Sequence, residues 1–300
     1  MLHGSGDYMS KVTRGGDYDW WNGDQLKKEK EYNTHLITRE ALTFLENNRS
    51  NPFFLFVSHN AIHFPWQQPG DTAHMREGQS YPDVNGPKSK LGQHGPNEVR
   101  SVIRNMIIEL DKSVASIFTK LKELGLDENT FVFFCSDNGG IENYIGGYHN
   151  ISHNKPFRGE KGQLYEGGHR VPAIAWWPSQ IPASVTNNET LMTMDLLPTI
   201  MELVRQKPLR NKVDGISIVP VLFENGKLPS RSFFWKHSEA YAVRSAHWKM
   251  IIKEENNQPE LYDLAVDPSE KNNVAAANQE IIARLSRELE QWKKDVFQPK

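Results

Sequence analysis

The run Phe131-Val132-Phe133-Phe134-Cys135 leads directly into Ser136-Asp137-Asn138-Gly139-Gly140, and this junction constrains the fold more than any other stretch. A short apolar run bounded by turn residues reads as a strand buried on both faces. The next two side chains are a carboxylate and an amide, placed where that strand leaves its sheet. Ligands of open α/β sheets gather at the carboxyl ends of strands. Adjacent oxygen donors there suit a hard cation, Ca²⁺ or Mg²⁺. The same residues also read as a plain tight turn, because Asn-Gly is a strong hairpin signal. The junction alone leaves both readings open.

Two further segments bear on the choice. Phe53-Phe54-Leu55-Phe56-Val57-Ser58 is a second buried-strand signature, followed by His59-Asn60-Ala61-Ile62-His63-Phe64-Pro65-Trp66. His63 therefore falls just past a strand end, where Pro65 disfavours helix. The other is Phe157-Arg158-Gly159-Glu160-Lys161-Gly162-Gln163-Leu164-Tyr165-Glu166-Gly167-Gly168-His169-Arg170-Val171-Pro172. Glycines flank Lys161, so backbone can approach a ligand closely beside the ammonium. The Walker spacing Gly-x-x-x-x-Gly-Lys-Ser/Thr is absent, which excludes a P-loop.

Elsewhere helices and strands alternate, the pattern of an α/β sandwich. Helices are expected over Tyr32–Asn48, Glu98–Leu124 and near the carboxy terminus, where Ile281, Ile282, Leu285, Leu289, Trp292 and Val296 keep one face. Asp195 reads as the N-cap of another helix, with Pro198 in its first turn. Phe233–Lys236, Tyr241–Arg244 and Trp248–Ile252 read as a small antiparallel sheet. The region 59–96 has no clear period, and a loop of that length is expected to contact substrate. A domain boundary is expected within Leu222–Ser230, separating 1–225 from 226–300.

His149 and His153 are four residues apart. Their Gly- and Asn-rich surroundings and the missing Glu argue against a zinc helix, leaving substrate recognition as their functional reading. Arg158 reads either as a contact for an anionic substrate or as a solvated surface arginine. Acidic residues exceed basic ones by only two, 37 against 35, so nothing favours electrostatic binding of nucleic acid. The single cysteine excludes an internal disulfide. No apolar run reaches membrane-spanning length, and no signal peptide opens the chain.

Taken in order, these segments resemble the formylglycine-dependent sulfatases of the alkaline-phosphatase-like superfamily. The resemblance rests on His63-Phe64-Pro65, Thr130 through Gly140, and Gly159 through Pro172 with Ala173-Ile174-Ala175-Trp176-Trp177-Pro178. It continues through Asp195-Leu196-Leu197-Pro198-Thr199-Ile200, Ala242-Val243-Arg244-Ser245, His247-Trp248-Lys249, Leu261-Tyr262-Asp263-Leu264 and Asp267-Pro268. It implies a mostly parallel central sheet flanked by helices, with a small carboxy-terminal α+β subdomain built on an antiparallel sheet. It also implies hydrolysis of a sulfate monoester, on a small molecule or a carbohydrate, in the periplasm or outside the cell. Asp137 and Asn138 would ligate a divalent cation, normally calcium. Lys161 and His63 would contact the sulfate near the departing oxygen, where fixed cationic donors stabilise developing charge.

One expected part is missing. The family oxidises a Cys or Ser in Cys/Ser-x-Pro-x-Arg to the formylglycine nucleophile, and no such run occurs here. Cys135 sits in the apolar strand and precedes Ser136-Asp137, so it reads as a buried small hydrophobe. Ser50-Asn51-Pro52 begins the pattern, but Phe54 stands where arginine is required. The expectation is therefore the later part of a longer sulfatase. A phosphomonoesterase or phosphodiesterase of the same superfamily, or a non-catalytic anion- or glycan-binding relative, remains as an alternative.

Overall fold

The structure is a computed structural model that describes residues 6–80, 94–144, 147–206, 213–255 and 258–297. It divides into two compact units, Met1–Glu128 with Ile141–His153, and Asn129–Gly140 with Asn154–Lys300.

In the first unit a short hairpin, β1 (Trp21–Asn22) and β2 (Gln25–Leu26), precedes α1 (Asn33–Asn47) and α2 (Val99–Glu123). Both helices lie where the apolar period places them. The α2 face of Val99, Val102, Ile103 and Met106 is buried with Tyr8, Tyr32, Phe64 and Trp66. Polar ties join the helices: His35 Nε2 lies 2.7 Å from Glu109 Oε2, and Thr38 Oγ1 donates to Ser113 Oγ at 2.6 Å. Asp7, fully buried, accepts from the backbone N–H groups of Met9, Ser10, His74 and Met75 and from Gln67 Nε2. One carboxylate thus pins part of the 59–96 loop to the start of the chain; residues 81–93 of that loop lie outside the described residues.

Phe53–Ser58 differs from expectation. Among the described residues it enters no β-ladder, and Phe54 and Phe56 are 72% and 78% exposed. Only the alternate residues are partly covered, so the segment is buried on one face, not two.

The second unit runs β3 (Val132–Cys135), α3 (Glu166–His169), β4 (Ala173–Trp176), α4 (Leu196–Leu203) and α5 (Val219–Glu224). It ends in β5 (Ser232–His237), β6 (Ala240–Ser245), β7 (Trp248–Lys253), β8 (Glu260–Asp263) and α6 (Gln279–Phe297). The three expected strands pair antiparallel as β5, β6 and β7, and an unexpected fourth, β8, extends the sheet in order β5-β6-β7-β8. Leu285 and Leu289 of α6 pack on its Tyr241, Val243, Met250 and Leu261. Val296, expected inward, is 52% exposed because the helix outruns the sheet's apolar cluster. Asp195 does occupy the N-cap position of α4, but its carboxylate grips Arg231 at 2.5 and 2.6 Å.

The expected parallel sheet is represented among the described residues by β3 and β4, which pair antiparallel from Val132↔Trp176 to Cys135↔Ala173. The observed division also differs from the expected boundary: β3 and everything from Asn154 onward associate with the carboxy-terminal sheet. Buried ion pairs of Lys249 with Glu166 and Glu270 tie the segment 159–172 to that sheet.

Candidate active site

The strand β3 ends at Cys135, and its last two ladder positions hand the chain to Ser136 and the turn beyond. Asp137 Oδ1 accepts the Asn138 N–H at 2.9 Å, and Asn138 Nδ2 donates to the Gly139 carbonyl at 3.0 Å. The turn is then locked to the glycine-rich loop. Gly139 N–H donates to the Gly168 carbonyl at 3.0 Å, and Lys161 N–H to the Gly140 carbonyl at 3.3 Å. Asn154 bridges both: its Oδ1 accepts from Gly140 N–H at 2.8 Å, and its Nδ2 donates to the carbonyls of Gly140 and Gly159 at 2.8 and 3.0 Å. A Cβ on Gly139 would lie 1.8 Å from the Gly167 carbonyl oxygen, and one on Gly167 2.3 Å from that of Gly159. Only glycine permits this approach. Asp137 and Lys161 are both exposed at this joint.

The joint suits a hard cation in donor type, since Asp137 and Asn138 are consecutive residues that each carry a side-chain oxygen. It does not complete a shell. Calcium takes about 6–8 oxygens, and no group of three or more His, Cys, Asp or Glu that could hold a metal occurs among the described residues. Cys135 is half-buried and its thiol is pushed up by burial and by Asp137, which suits a packing role.

Beneath the glycine loop lies a charged core that sequence reasoning missed. Lys249, on β7, is fully buried and donates to Glu166 Oε1 at 2.9 Å; its Nζ is also 2.9 Å from Glu270 Oε1. Arg244 and Arg170 reach Glu166 Oε2 at 3.3 and 3.5 Å. Burial alone would raise the Glu166 carboxyl, but Lys249 and Arg244 outweigh it and hold it below the usual range. Glu270 goes the other way, because burial exceeds what Lys249 returns. His169, 3.1 Å from Lys249 Nζ, is driven down to about 4 by burial and by that ammonium. The signal for Lys249 was present: a lysine inside the apolar strand 248–252 must either break the strand or find a carboxylate.

Arg158 belongs to the same scaffold. Its Nη1 donates to Tyr262 Oη at 3.1 Å and to the Glu270 carbonyl at 2.9 Å, and its guanidinium lies 3.9 Å over the Tyr165 ring. Burial pulls its pKa down, but Tyr165, Tyr262 and Glu260 raise it further. Asp137, Asn138, Arg158 and Lys161 thus share the second unit.

The three histidines singled out from the sequence belong to the first unit. His63 is exposed, and its Nδ1 lies 2.6 Å from the Phe64 carbonyl, a contact that favours the Nδ1–H tautomer. Its backbone is held from both sides: its N–H donates to the Asn60 carbonyl at 2.8 Å, and Tyr8 Oη to its own carbonyl at 3.1 Å. His149 and His153 are exposed loop residues, with His149 Nδ1 3.3 Å from Asn143 Oδ1.

A sequence-family profile described as Sulfatase matches residues 4–206, and a second, described as N-sulphoglucosamine sulphohydrolase, C-terminal, matches 159–295. The chain belongs to the sulfatase family. This sulfatase chain is 31% identical to the N-acetylgalactosamine-6-sulfatase of Mus musculus over 245 residues, 81% of this chain and 42% of that protein. It is 35% identical to an arylsulfatase of Hemicentrotus pulcherrimus over 220 residues, 72% of this chain and 35% of that protein. Among solved structures, Ps i-CgsB superposes with a TM-score of 0.75 at 27% identity, covering 94% of this chain and 60% of that one. The same protein has been solved with k-i-k-neocarrahexaose, and matches with a TM-score of 0.74. The fold is therefore the alkaline-phosphatase-like fold of sulfatases, with its antiparallel carboxy-terminal sheet. The chain spans less than half the length of these curated relatives. No helix among the described residues is long and apolar enough to cross a membrane.

Proposed function

We propose that this chain acts in the hydrolysis of sulfate monoesters carried by carbohydrates. The observation that supports this best is the glycine joint, which fixes the Asp137–Asn138 turn and the Lys161 loop together through Asn154 and the Gly140 carbonyl. A sulfate ester is an anion whose bridging oxygen gains charge as the S–O bond breaks. Lys161 supplies an ammonium for a sulfate oxygen, and Asp137 with Asn138 supplies two donors toward a calcium or magnesium ion. When bound, such a cation would neutralise sulfate charge. His63 is assigned to the leaving-group oxygen by likeness to the family, with its Nδ1 2.6 Å from the Phe64 carbonyl. His149, His153 and the outer edge of Arg158 are assigned to substrate recognition. Within these 300 residues there is no Cys/Ser-x-Pro-x-Arg run, so the formylglycine of the family is not assigned to this chain. The name of the murine relative supports a sulfated sugar as the substrate class. Likeness to the family supports a periplasmic or extracellular location.

Calorimetric titration with N-acetylgalactosamine 6-sulfate, with and without calcium chloride, tests the reading. Lys161→Ala is expected to weaken sulfate-ester binding about 10- to 100-fold, the loss of one hydrogen bond to a charged group, while the far-ultraviolet dichroism stays unchanged. Asp137→Ala is expected to lower calcium affinity and ester affinity together. Tighter binding of the matching 6-phosphate would instead favour the phosphoesterase alternative.

A further inference from the structure

The strand β5 projects Phe233, Trp235 and His237 from one face, because strand side chains alternate with period two. Trp235 lies against His169 of the glycine-rich segment, with ring centroids 4.6 Å apart. Two positions on, the His237 imidazole reaches Gly162: its Cε1 and Nε2 would both be 3.8 Å from a Cβ at that position. Gly162 is the immediate neighbour of Lys161. His237 is exposed, and no hydrogen bond or ion pair engages its ring among the described residues. Both ring nitrogens therefore lie without a partner among the described residues, against the glycine that follows the lysine assigned to the sulfate.

This placement is fixed from below. Lys249 clamps Glu166 of the loop, and Glu270 in turn accepts the Glu166 N–H at 2.6 Å. Tyr165 Oη donates to Glu260 Oε2 at 2.7 Å, fastening the loop to β8. The loop and the β5 edge are thus held by buried charge and by register, not by a surface contact alone.

We infer that His237 is a specificity-determining residue, contacting the carbohydrate portion of a sulfated substrate whose sulfate is held at Lys161. The inference rests on the sulfatase reading above and extends it to the sugar. An imidazole can donate to or accept from a ring hydroxyl, which the lysine and the cation cannot do with equal selectivity.

The test titrates the wild-type chain and His237→Ala with N-acetylgalactosamine 6-sulfate and, separately, with inorganic sulfate. The variant is expected to lose about 5- to 10-fold in affinity for the sugar sulfate, the loss of one net hydrogen bond, and to keep its affinity for inorganic sulfate. Its thermal midpoint is expected to match the wild type, since the side chain is exposed. Equal sugar affinity in both proteins overturns the inference while leaving the sulfatase reading intact. Parallel loss toward both probes also overturns it, by placing His237 at the sulfate. No saturable binding of either probe to the wild type overturns the sulfatase reading and this inference with it.

Discussion

Two ammonium groups lie within the same unit and do opposite jobs. Lys161 is exposed on a loop, whereas Lys249 is fully buried between two glutamates. Nothing in the residue type separates them; the difference lies in what surrounds each one. The glycines that set Lys161 in place are the residues most sensitive to change. Gly139→Ala would force a methyl group to 1.8 Å from a backbone carbonyl oxygen that no rotamer change can move. Overpacking of this kind costs about 1–3 kcal/mol and is occasionally worse. Gly95→Ala is the matching control, because nothing lies within 4 Å of its added Cβ. Urea denaturation of the two variants should show a clear loss for Gly139→Ala and little for Gly95→Ala. Equal midpoints would mean that the joint is not packed as described.

At the scale of elements, α6 is a second case where position outweighs composition. Leu285 is fully buried against the carboxy-terminal sheet, and Trp292 stacks on Phe234 with centroids 5.3 Å apart. Leu285→Ala should cost about 2–5 kcal/mol through lost burial and a residual cavity, while Val296→Ala, at the exposed end, should stay within about 0.5 kcal/mol. Equilibrium unfolding of both variants checks the contrast, and similar losses would contradict the packing. The period that predicts α1, α2 and α6 is local, so these helices are legible in the sequence, α1 and α2 to within one residue at each end. The first three strands of the last sheet are legible through their aromatic and β-branched runs, whereas β8, four residues with a carboxylate at each end, is not. Phe53–Ser58 was not, since an apolar run reveals the tendency to pair but not the partner. Nor was the Glu166–Lys249 pair, whose members lie 83 residues apart. At the site, the sequence pointed to Asp137, Asn138 and Lys161 through turn residues and glycines. It gave no sign of Asn154, which bridges them, because an asparagine in a loop has no period to betray it. Arg158 was legible as an arginine near the site, but its grip on Tyr262 and Glu270 depends on a strand far along the chain.

At the scale of the molecule, each unit contains, among the described residues, a half-buried histidine whose pKa is driven down, and together they set an acid limit on stability. His59, in the first unit, is driven down to about 4 by burial, with its Nε2 3.0 Å from Ser113 Oγ. His169, in the second, reaches about 4 through burial and Lys249. The unfolded chain takes up these protons near 6.5, the ordinary histidine value, while the folded chain refuses them until about 4. The unfolded state therefore binds more protons across this window, and stability must fall as pH drops from 6.5 toward 4. At pH 5 each group removes at most about 2 kcal/mol. Glu270, raised by burial, takes up a proton more readily when folded, so it trims this slope at its acid end. Scanning calorimetry at pH 7 and pH 5 should show a lower midpoint at pH 5 in the wild type. His59→Gln and His169→Gln should each flatten that dependence, whatever their effect on stability at pH 7, because glutamine has no proton to gain. A pH response unchanged by either substitution would mean that both imidazoles titrate in solvent, and the half-buried positions assigned to them in the two units would be wrong.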